Sequence, residues 1–486
     1  MKSLHPIMFV GTGSDVGKSI VAAAFCRIFR QDGYQPAPFK AQNMALNSYV
    51  TPEGQEIGRA QAVQAEAAGI PCHTDMNPIL LKPNSNHTSQ VVLHGKPIGN
   101  KDAYDYWRNR SSQSTLNTPI DFRKEVCDAF DRLSSRYSPI VMEGAGSISE
   151  INLRDTDLVN MPMARHARAD VILVGDIDRG GVFASVYGSI MLQKPEDRKL
   201  IKGIIINKFR GDMRLFEEGK RMMEELCGIP VLGVIPYFKN IHIEEEDSVS
   251  LSRKNSQLST LNSQLNVAVV MFRHISNFTD FDVLERDLRV NLFYTNSTTD
   301  ICRADIIILP GTKATLDDLR ELRRNGCAQA ILRAHRDGKM VIGICGGYQM
   351  LGQTIEDPEG IEGSVTRLPG LGLLPIHTTM DATKTTRQVT FLFEGEECKG
   401  YEIHQGISDT DQAIMTTDNC IGTYIHGFLD NAPVVEYLLK RFKVQGSKFK
   451  VQSVEDFKEE QYNKLAEHVR QHVDMKRIYQ ILTSHD

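Results

Sequence analysis

The chain has 486 residues, enough for two to four domains at the usual ~100–200 residues each. Hydrophobic residues make up 41% and charged residues 24%, which excludes a chain that is disordered or collagenous throughout. The formal net charge is −5, from 56 basic and 61 acidic residues. This balance gives no support for a nucleic-acid partner, because such proteins usually carry a basic excess.

Apolar runs are short throughout, and none approaches the ~18–20 residues that span a bilayer. The first, at residues 7–10, ends at once in a glycine-rich loop, so we expect neither a membrane helix nor a signal peptide, and a cytoplasmic location. The nine cysteines include no CxxC pair, which argues against a disulfide framework or a zinc knuckle.

Residues 1–240 alternate short apolar runs with amphipathic stretches, a pattern that predicts a mostly parallel sheet with helices on both faces. The predicted strands are residues 7–10, 140–142, 171–174, 204–206 and 231–235. Apolar residues recur at the helical period from Ile20 to Phe29, and Gly33 provides a stop.

Residues 241–265 turn polar and rich in Ser, Asn and Gln, which predicts a linker. A second α/β pattern follows at 266–444, with a helix predicted from Leu316 to a stop near Gly326. Its predicted strands are residues 267–272, 306–309 and 340–344. The charged segment 445–486 is expected to form a helical extension.

A glycine-rich loop, GTGSDVGKS at 11–19, separates the first predicted strand from the first helix. Glycines let the backbone wrap round phosphate oxygens, while Lys18 can reach terminal phosphates and Ser19 can hold Mg²⁺. The loop is a variant, because Thr12 stands where the strict pattern has its first glycine. The order of strand, loop and helix favours a P-loop NTPase-like domain over a plain turn with a surface lysine. The predicted ATP-binding residues are Gly13, Asp15, Val16, Gly17, Lys18, Ser19 and Asn207.

Glu143 stands at the carboxyl end of the strand predicted at 140–142, next to glycines that allow a ligand to approach. Ligands bind at this edge of open α/β sheets, so we predict that Glu143 and Ser19 hold Mg²⁺. The alternative is that Glu143 only caps the following turn. Asn207, at the end of a later strand, is a candidate to contact the adenine.

Several long stretches of the first domain closely resemble the cobyric acid synthase family, glutamine-dependent amidases of cobalamin biosynthesis. These stretches are residues 11–19, 39–48, 56–61, 76–83, 141–150, 176–184 and 206–212. Wider kin that share the variant loop, dethiobiotin synthetase and cobyrinic acid a,c-diamide synthase, also activate a carboxylate with ATP.

The resemblance implies a corrinoid substrate, adenosylcobyrinic acid a,c-diamide, whose b, d, e and g carboxylates are amidated in turn. It implies small-molecule substrates only (corrinoid, glutamine and ATP), with no nucleic acid and no membrane, and leaves a homo-oligomer open. Polar residues of the matching stretches are of the kind that bind carboxylates, amides or phosphates; the alternative is that they satisfy one another. The predicted substrate-binding residues are Lys40, Gln42, Asn43 and Asn47, and Arg59 shares their character.

Cys345 lies in GICGGYQMLG, after a predicted strand and at the start of a helix. Such an elbow exposes the thiol, and the helix N-terminus favours thiolate over thiol. A cysteine between glycines is more often structural, but the surrounding stretches resemble the class I glutamine amidotransferase domain of the same family. Those stretches are residues 275–280, 309–313, 401–406 and 422–427.

This second resemblance implies that Cys345 is the nucleophile and His426 the general base. Backbone N–H groups near Gly311 and at Gly346 are the implied oxyanion donors. The wider class carries a glutamate two residues after the histidine, but here that residue is Phe428. Glu402 is a candidate to orient His426 by its chemistry alone, and His404 is expected to be structural.

Two rival functions remain. The a,c-diamide synthase shares this architecture, although the stretches at 42–48 and 176–184 favour the cobyric acid reaction. A partitioning-type regulatory ATPase would carry a signature lysine where this chain has Gly13, and it would have no glutaminase domain.

Overall fold

Two open β-sheets, each covered by helices, organise the chain in the computed structural model. The structure describes residues 4–84, 88–102, 106, 120–238, 240–244, 265–363, 365–444 and 453–484. Most of the predicted linker and the first part of the predicted extension lie outside these residues.

The first sheet has six strands, all parallel. Its spatial order is Val231–Pro236, Ile201–Phe209, Asp170–Asp176, Ile7–Gly11, Ile140–Glu143 and Ala37–Phe39. Five of them confirm the predicted strands, and the three-residue strand Ala37–Phe39 is an addition at one edge. Because the strands all run the same way, Gly11, Glu143 and Asn207 meet at one edge of the sheet.

The helix Lys18–Gln31 confirms the helix predicted after the glycine-rich loop. Gly17, at φ 95°, precedes it, and Gly33, at φ 87°, follows its end. The other helices of this half are Arg59–Ala68, Phe122–Ser134, Met161–Ala167, Val182–Met191, Pro195–Arg198 and Glu217–Cys227, with 3₁₀ turns at Thr74–Met76, Ile151–Thr156 and Met213–Phe216.

Two small sheets carry the polar stretches between residues 39 and 102, which the sequence pattern did not predict as strands. One sheet contains Gln42–Met44, Ile79–Pro83, Thr88–Leu93 and Lys96–Asp102, and the other pairs Ser48–Val50 with Glu56–Gly58. They lie beside the carboxyl edge of the first sheet, since the backbone N–H of Lys40 at the end of Ala37–Phe39 donates to Met76 at 2.8 Å.

The second sheet also has six strands, five parallel and one antiparallel at the edge. Its order is Val290–Thr295, Leu265–Val270, Ile306–Leu309, Met340–Ile344, Cys420–Thr423 and Ile414–Thr417. Its helices are Asp282–Arg286, Thr298–Arg303, Thr315–Arg324, Cys327–Arg336, Gly346–Leu351 and Ala432–Arg441, with 3₁₀ turns at Phe278–Phe281 and Phe428–Asp430. The strand predicted at 267–272 begins and ends two residues earlier than expected.

A long hairpin of this half, His377–Phe393 with Glu396–Ser408, reaches the first half of the chain. Thr386 Oγ1 donates to the carbonyl oxygen of Gly54 at 2.7 Å, and the Tyr401 ring packs on Tyr49 with centroids 4.8 Å apart. The hairpin belongs to a sheet with Arg367–Pro369, Thr354–Glu356 and Ile425–His426, and Ile275–Ser276 pairs separately with Gly311–Thr312.

The last two helices, Val454–His472 and Met475–Thr483, pack on the first half of the chain. Arg470 forms an ion pair with Asp32 at 2.6 Å, beside the helix Lys18–Gln31. None of the helices in the described part of the chain combines the length and hydrophobicity that a bilayer-spanning segment needs.

Candidate active sites

The glycine-rich loop at 11–19 folds round the Lys18 side chain. Lys18 Nζ donates to the carbonyl oxygens of Gly13, at 2.8 Å, and Gly146, at 2.9 Å. The ammonium group therefore lies over the loop, where it can meet a phosphate. Asp15, at φ 56°, and Gly17 give the loop its left-handed turns.

Asn207 supports this loop from the neighbouring strand. Its Nδ2 donates to the carbonyl oxygen of Val16 at 2.9 Å. A Cβ on Gly17 would lie 2.2 Å from the same nitrogen, so only glycine fits there. The structure thus gives Asn207 a bracing contact, and its contact with adenine stays a prediction.

Glu143 is buried at the carboxyl end of its strand and accepts hydrogen bonds from three side chains. Ser19 Oγ and Lys40 Nζ each lie 2.8 Å from Oε1, and Gln64 Nε2 lies 2.7 Å from Oε2. Burial acts to raise the pKa of Glu143, but the Lys40 ammonium and these hydrogen bonds hold it below its usual value. Glu143 is therefore an ionised carboxylate beside the phosphate loop.

The distance between the oxygens of Ser19 and Glu143 fits the spacing of two neighbouring Mg²⁺ ligands. Mg²⁺ takes oxygen ligands at octahedral positions, and neighbouring ligands of such an octahedron lie about 3 Å apart. Ser19 Oγ and Glu143 Oε1 are 2.8 Å apart. No group of three His, Cys, Asp or Glu in the described residues could form a metal cage, but Mg²⁺ in nucleotide sites is usually held by one or two protein oxygens with phosphates and water.

A cleft of about 1370 Å³ opens above the loop and is lined by Lys18, Ser19 and Glu143. Of the predicted substrate-binding residues, Lys40, Gln42 and Asn43 also line it. Asn47 is buried and does not line the cleft among the described residues.

Cys345 occupies the elbow between the strand Met340–Ile344 and the helix Gly346–Leu351. Its backbone has φ 52°, which is unusual for a residue with a side chain and marks a strained position typical of functional sites. Glycine is required two residues later, because a Cβ on Gly347 would lie 1.9 Å from the carbonyl oxygen of Leu309.

The His426 imidazole is buried between Asp280 and Cys345. Its Nδ1 lies 2.7 Å from Asp280 Oδ2, and the backbone N–H of Gly427 donates to the other carboxylate oxygen at 3.0 Å. Burial acts to lower the pKa of His426, but the Asp280 carboxylate and a hydrogen bond with Cys345 raise it to about 10. His426 is therefore an imidazolium at neutral pH, facing the Cys345 sulfur.

The suggestion that Glu402 orients His426 is wrong. Tyr401 pairs with His426 across two antiparallel strands, so Glu402, the next residue, points to the opposite face. There it bonds to Arg387 Nε at 2.7 Å. Asp280 takes the orienting position, and Phe428 is buried in the core instead. Asp280 lies 146 residues before His426, and its only sequence signal was its place in the family-like stretch 275–280.

A small cavity of about 40 Å³ surrounds the thiol. Cys345, Gly346 and His426 line it. Gly311, the other predicted oxyanion residue, pairs with Ser276, and its successors Thr312 and Lys313 line the cavity. His404 also lines the cavity, where its ring stacks on Tyr424 at a centroid distance of 3.8 Å.

Residues from the first half of the chain complete this cavity. Lys82 lines it and lies 2.7 Å from Glu56 Oε1 and 2.9 Å from Ser48 Oγ. Lys384, from the long hairpin, lines the cavity and bonds to the other oxygen of Glu56. The backbone N–H of Ser48 also donates to Asn277 Oδ1 at 3.1 Å. The thiol site therefore abuts the domain that carries the phosphate loop.

Two family models match the chain. A CobQ/CobB/MinD/ParA nucleotide binding domain matches residues 7–251, and a CobB/CobQ-like glutamine amidotransferase domain matches residues 266–434. Together with the two sheets, they confirm the predicted fold class, a P-loop NTPase-like domain followed by a class I glutamine amidotransferase-like α/β domain.

Similar curated proteins span the whole chain. The cobyric acid synthases of Phocaeicola vulgatus and Bacteroides fragilis are each 63% identical, with 100% of both chains covered. That of Parabacteroides distasonis is 56% identical, with 98% of both chains covered. The alignment with a solved glutamine amidotransferase structure covers 37% of this chain and 99% of that protein's chain, at 15% identity and a TM-score of 0.29.

Proposed function

This chain belongs to the cobyric acid synthase family, as its sequence resemblance predicted, and we propose that it amidates the b, d, e and g carboxylates of adenosylcobyrinic acid a,c-diamide with ATP and glutamine. One observation carries the proposal. The cavity that holds Cys345 is also lined by Lys82, from the half of the chain that carries the phosphate loop, and this supports a thiol site that delivers ammonia across the boundary between the two domains.

A carboxylate does not accept ammonia directly near neutral pH, because hydroxide is a very poor leaving group. ATP removes this obstacle: a carboxylate oxygen of the corrinoid attacks the γ-phosphorus, ADP leaves, and an acyl phosphate forms. Lys18 holds the γ-phosphate and offsets its charge during transfer. Ser19 and Glu143 would hold Mg²⁺, which supplies further charge neutralisation when bound.

Lys40, Gln42 and Asn43 line the same cleft and are placed to bind the corrinoid side chains. The cleft is large enough for a nucleotide and part of a second ligand, since small-molecule sites usually occupy about 300–1,000 Å³. The bulk of the corrin ring is expected outside the loop, with one carboxylate at a time reaching the γ-phosphate.

In the second domain, the Cys345 thiolate attacks the side-chain carbonyl carbon of glutamine. The His426 imidazolium, held by Asp280, gives its proton to the departing nitrogen, so ammonia and a thioester form. Water then attacks the thioester, His426 takes a proton from the water, and glutamate leaves while the thiolate is restored. The backbone N–H of Gly346, with one near Gly311, is expected to stabilise the oxyanion.

Ammonia then attacks the acyl carbon in the first domain. The amide forms, phosphate leaves, and the proton that the nitrogen loses ends on the departing phosphate. Ammonia has to stay neutral to act as a nucleophile, so we expect it to pass along the boundary between the domains rather than through bulk water, where most of it would be protonated.

The test is to incubate the chain with cobyrinic acid a,c-diamide, ATP, Mg²⁺ and glutamine and to count the nitrogen atoms gained by mass spectrometry. We expect gain of four amides and none with a Lys18→Ala variant. If the chain instead converts cobyrinic acid to its a,c-diamide and leaves the diamide unchanged, the sibling activity is correct and this proposal fails.

A further inference from the structure

The helix Arg59–Ala68 is buried along nearly its whole length, yet it carries polar side chains. Gln61 and Gln64 are 0% and 1% exposed and stand one turn apart, so they share a helix face. Each has one amide atom without a hydrogen-bond partner among the described residues: the Nε2 donor of Gln61 and the Oε1 acceptor of Gln64. Buried polar atoms of this kind usually have a small polar molecule as partner.

The remaining amide atoms fix how these side chains are directed. Gln61 Oε1 accepts from Asn43 Nδ2 at 3.0 Å, and Gln64 Nε2 donates to Glu143 at 2.7 Å. Gln64 Nε2 also lies 3.3 Å from the carbonyl oxygen of Ser19, so a swap of the two Gln64 amide atoms would place its oxygen against two acceptor atoms, and its unpartnered atom is therefore the acceptor Oε1. Within the described part of the chain, the face therefore presents one unpartnered donor, Gln61 Nε2, followed by one unpartnered acceptor, Gln64 Oε1.

This helix lies between the two active sites. Gln64, in the middle of the helix, contacts Glu143 of the nucleotide site, and Ala60 and Val63 of the first two turns line the nucleotide cleft. At its N-terminus the helix continues directly from the strand Glu56–Gly58. Glu56 bonds to Lys82 and Lys384, both of which line the Cys345 cavity.

A molecule that satisfies both atoms has to accept one hydrogen bond from Gln61 and donate one to Gln64. Neutral ammonia does this with its single lone pair and three N–H groups. Ammonium cannot, because it has no lone pair to accept with. The site thus favours the nucleophilic form of the nitrogen over the protonated form.

We propose that Gln61 and Gln64 form a binding site for neutral ammonia on its way from Cys345 to the acyl phosphate. The inference rests on the proposed function and adds the place where the nitrogen is held. A structural water, which has the same hydrogen-bonding capacity, is the competing occupant.

An isotope competition separates these occupants. The chain is given [amide-¹⁵N]glutamine together with excess unlabelled ammonium chloride, and the ¹⁵N content of the amidated corrinoid is measured. We expect nearly all product nitrogen to be ¹⁵N in the unmodified chain. In Gln61→Leu, loss of the hydrogen bond should raise the share of unlabelled nitrogen about three- to tenfold. Glutamate formation should stay near its normal rate.

Gln461→Leu is the matched control. Gln461 is also buried, on the helix Val454–His472 that packs on the first half, but its Oε1 accepts from the backbone of His242 and it lines neither cavity among the described residues. If Gln61→Leu fails to fold, Gln61→Met, which is unbranched and closer in shape, replaces it.

The outcomes are distinct. If Gln61→Leu or Gln61→Met makes product as rich in ¹⁵N as the unmodified chain, the site holds water only and this inference is wrong. If the unmodified chain makes no amide at all, the proposed function fails instead. An equal rise in unlabelled nitrogen for Gln461→Leu would mean that any lost buried amide loosens the chain, and would also overturn the inference.

Discussion

Asp280 Oδ2 lies 2.7 Å from His426 Nδ1, and this contact joins a 3₁₀ turn early in the second domain to a strand near its end. Asp280, together with a hydrogen bond from Cys345, raises the pKa of His426 to about 10 against the opposing effect of burial. Asp280→Asn removes the largest influence that raises the pKa, so the His426 pKa should fall well below 10 and more of the imidazole should be neutral near pH 7.5. Glutamate release should then drop about 10²- to 10⁴-fold in kcat.

The pH profile of glutamate release checks this prediction. The unmodified site should keep its imidazolium until the pH approaches 10, whereas Asp280→Asn should lose it at much lower pH. Glu402→Gln is the control, because it removes a nearby carboxylate that faces Arg387 and should leave glutamate release almost unchanged. A larger loss in Glu402→Gln than in Asp280→Asn would show that the assignment of the orienting residue is wrong.

Glu143→Gln should abolish amidation with either glutamine or ammonium as nitrogen donor, while glutamate release persists. The carboxylate accepts from Ser19 and Lys40, so its loss removes a candidate Mg²⁺ ligand and breaks the buried ion pair between Glu143 and Lys40. Breaking such a pair typically costs about 3–5 kcal/mol of folding stability. Urea unfolding and both activities should be measured together.

Asp170→Asn is the matched comparison for Glu143→Gln. Asp170 is a buried carboxylate of the same sheet, at the amino end of its strand and away from the cleft. The Asp170→Asn variant should retain ATP-dependent amidation. Retained amidation in Glu143→Gln itself would contradict its place in the nucleotide site.

Gly17→Ala should impair nucleotide binding more than it impairs folding. Gly17 has φ 95°, and an added Cβ would lie 2.2 Å from Asn207 Nδ2, so the loop has to shift. We expect the KM for ATP to rise at least about tenfold, since about 1.4 kcal/mol of lost binding suffices. Gly188→Ala, a helical glycine with open space round it, should leave the KM unchanged. An unchanged KM in Gly17→Ala would contradict this account of the loop.

Glu56→Gln should destabilise the interface between the two domains, where Glu56 forms ion pairs with Lys82 and Lys384. Burial acts to raise the pKa of Glu56, but Lys384 and Lys82 hold it well below its usual 4.5. A carboxyl with a depressed pKa contributes stability above the pKa of the unfolded chain and loses it as pH falls further. The stability difference between Glu56→Gln and the unmodified chain should therefore be about 3–5 kcal/mol at neutral pH and shrink below pH 4.5.

Urea unfolding at several pH values measures this difference. Combining Glu56→Gln with Lys384→Met should recover part of the loss, because the second change removes a buried cation that the first leaves unpaired. If the stability losses of the two variants simply add, or if the loss in Glu56→Gln does not depend on pH, the ion pairs contribute little to the stability of the domain interface.

Local patterns predicted the parts of the fold that local physics determines. The strands round Ile7 and Ile204, the helix after Gly17 and the elbow at Cys345 all follow from runs of apolar residues bounded by glycines. The pairing of distant segments carries no such signal. Asp280 reaches His426 only because the second sheet brings their segments together, and Lys82 reaches the thiol cavity only through packing of two domains.

Short strands were also missed for a physical reason. Gln42–Met44 and Glu56–Gly58 have three residues each, too few for alternation to appear, and their polar side chains, Gln42, Asn43 and Glu56, are buried, which an apolar pattern does not predict.

The most direct measurement of the central claim is the nitrogen-donor dependence of Cys345→Ala. If the thiol only releases ammonia for a separate ATP-dependent site, this variant should make no amide from glutamine but should keep most of its amidation with concentrated ammonium chloride. The matched control Cys398→Ala should keep its amidation with either nitrogen donor. Amidation from glutamine at the normal rate in Cys345→Ala, or loss of amidation with ammonium in that folded variant, would contradict the division of labour between the two domains.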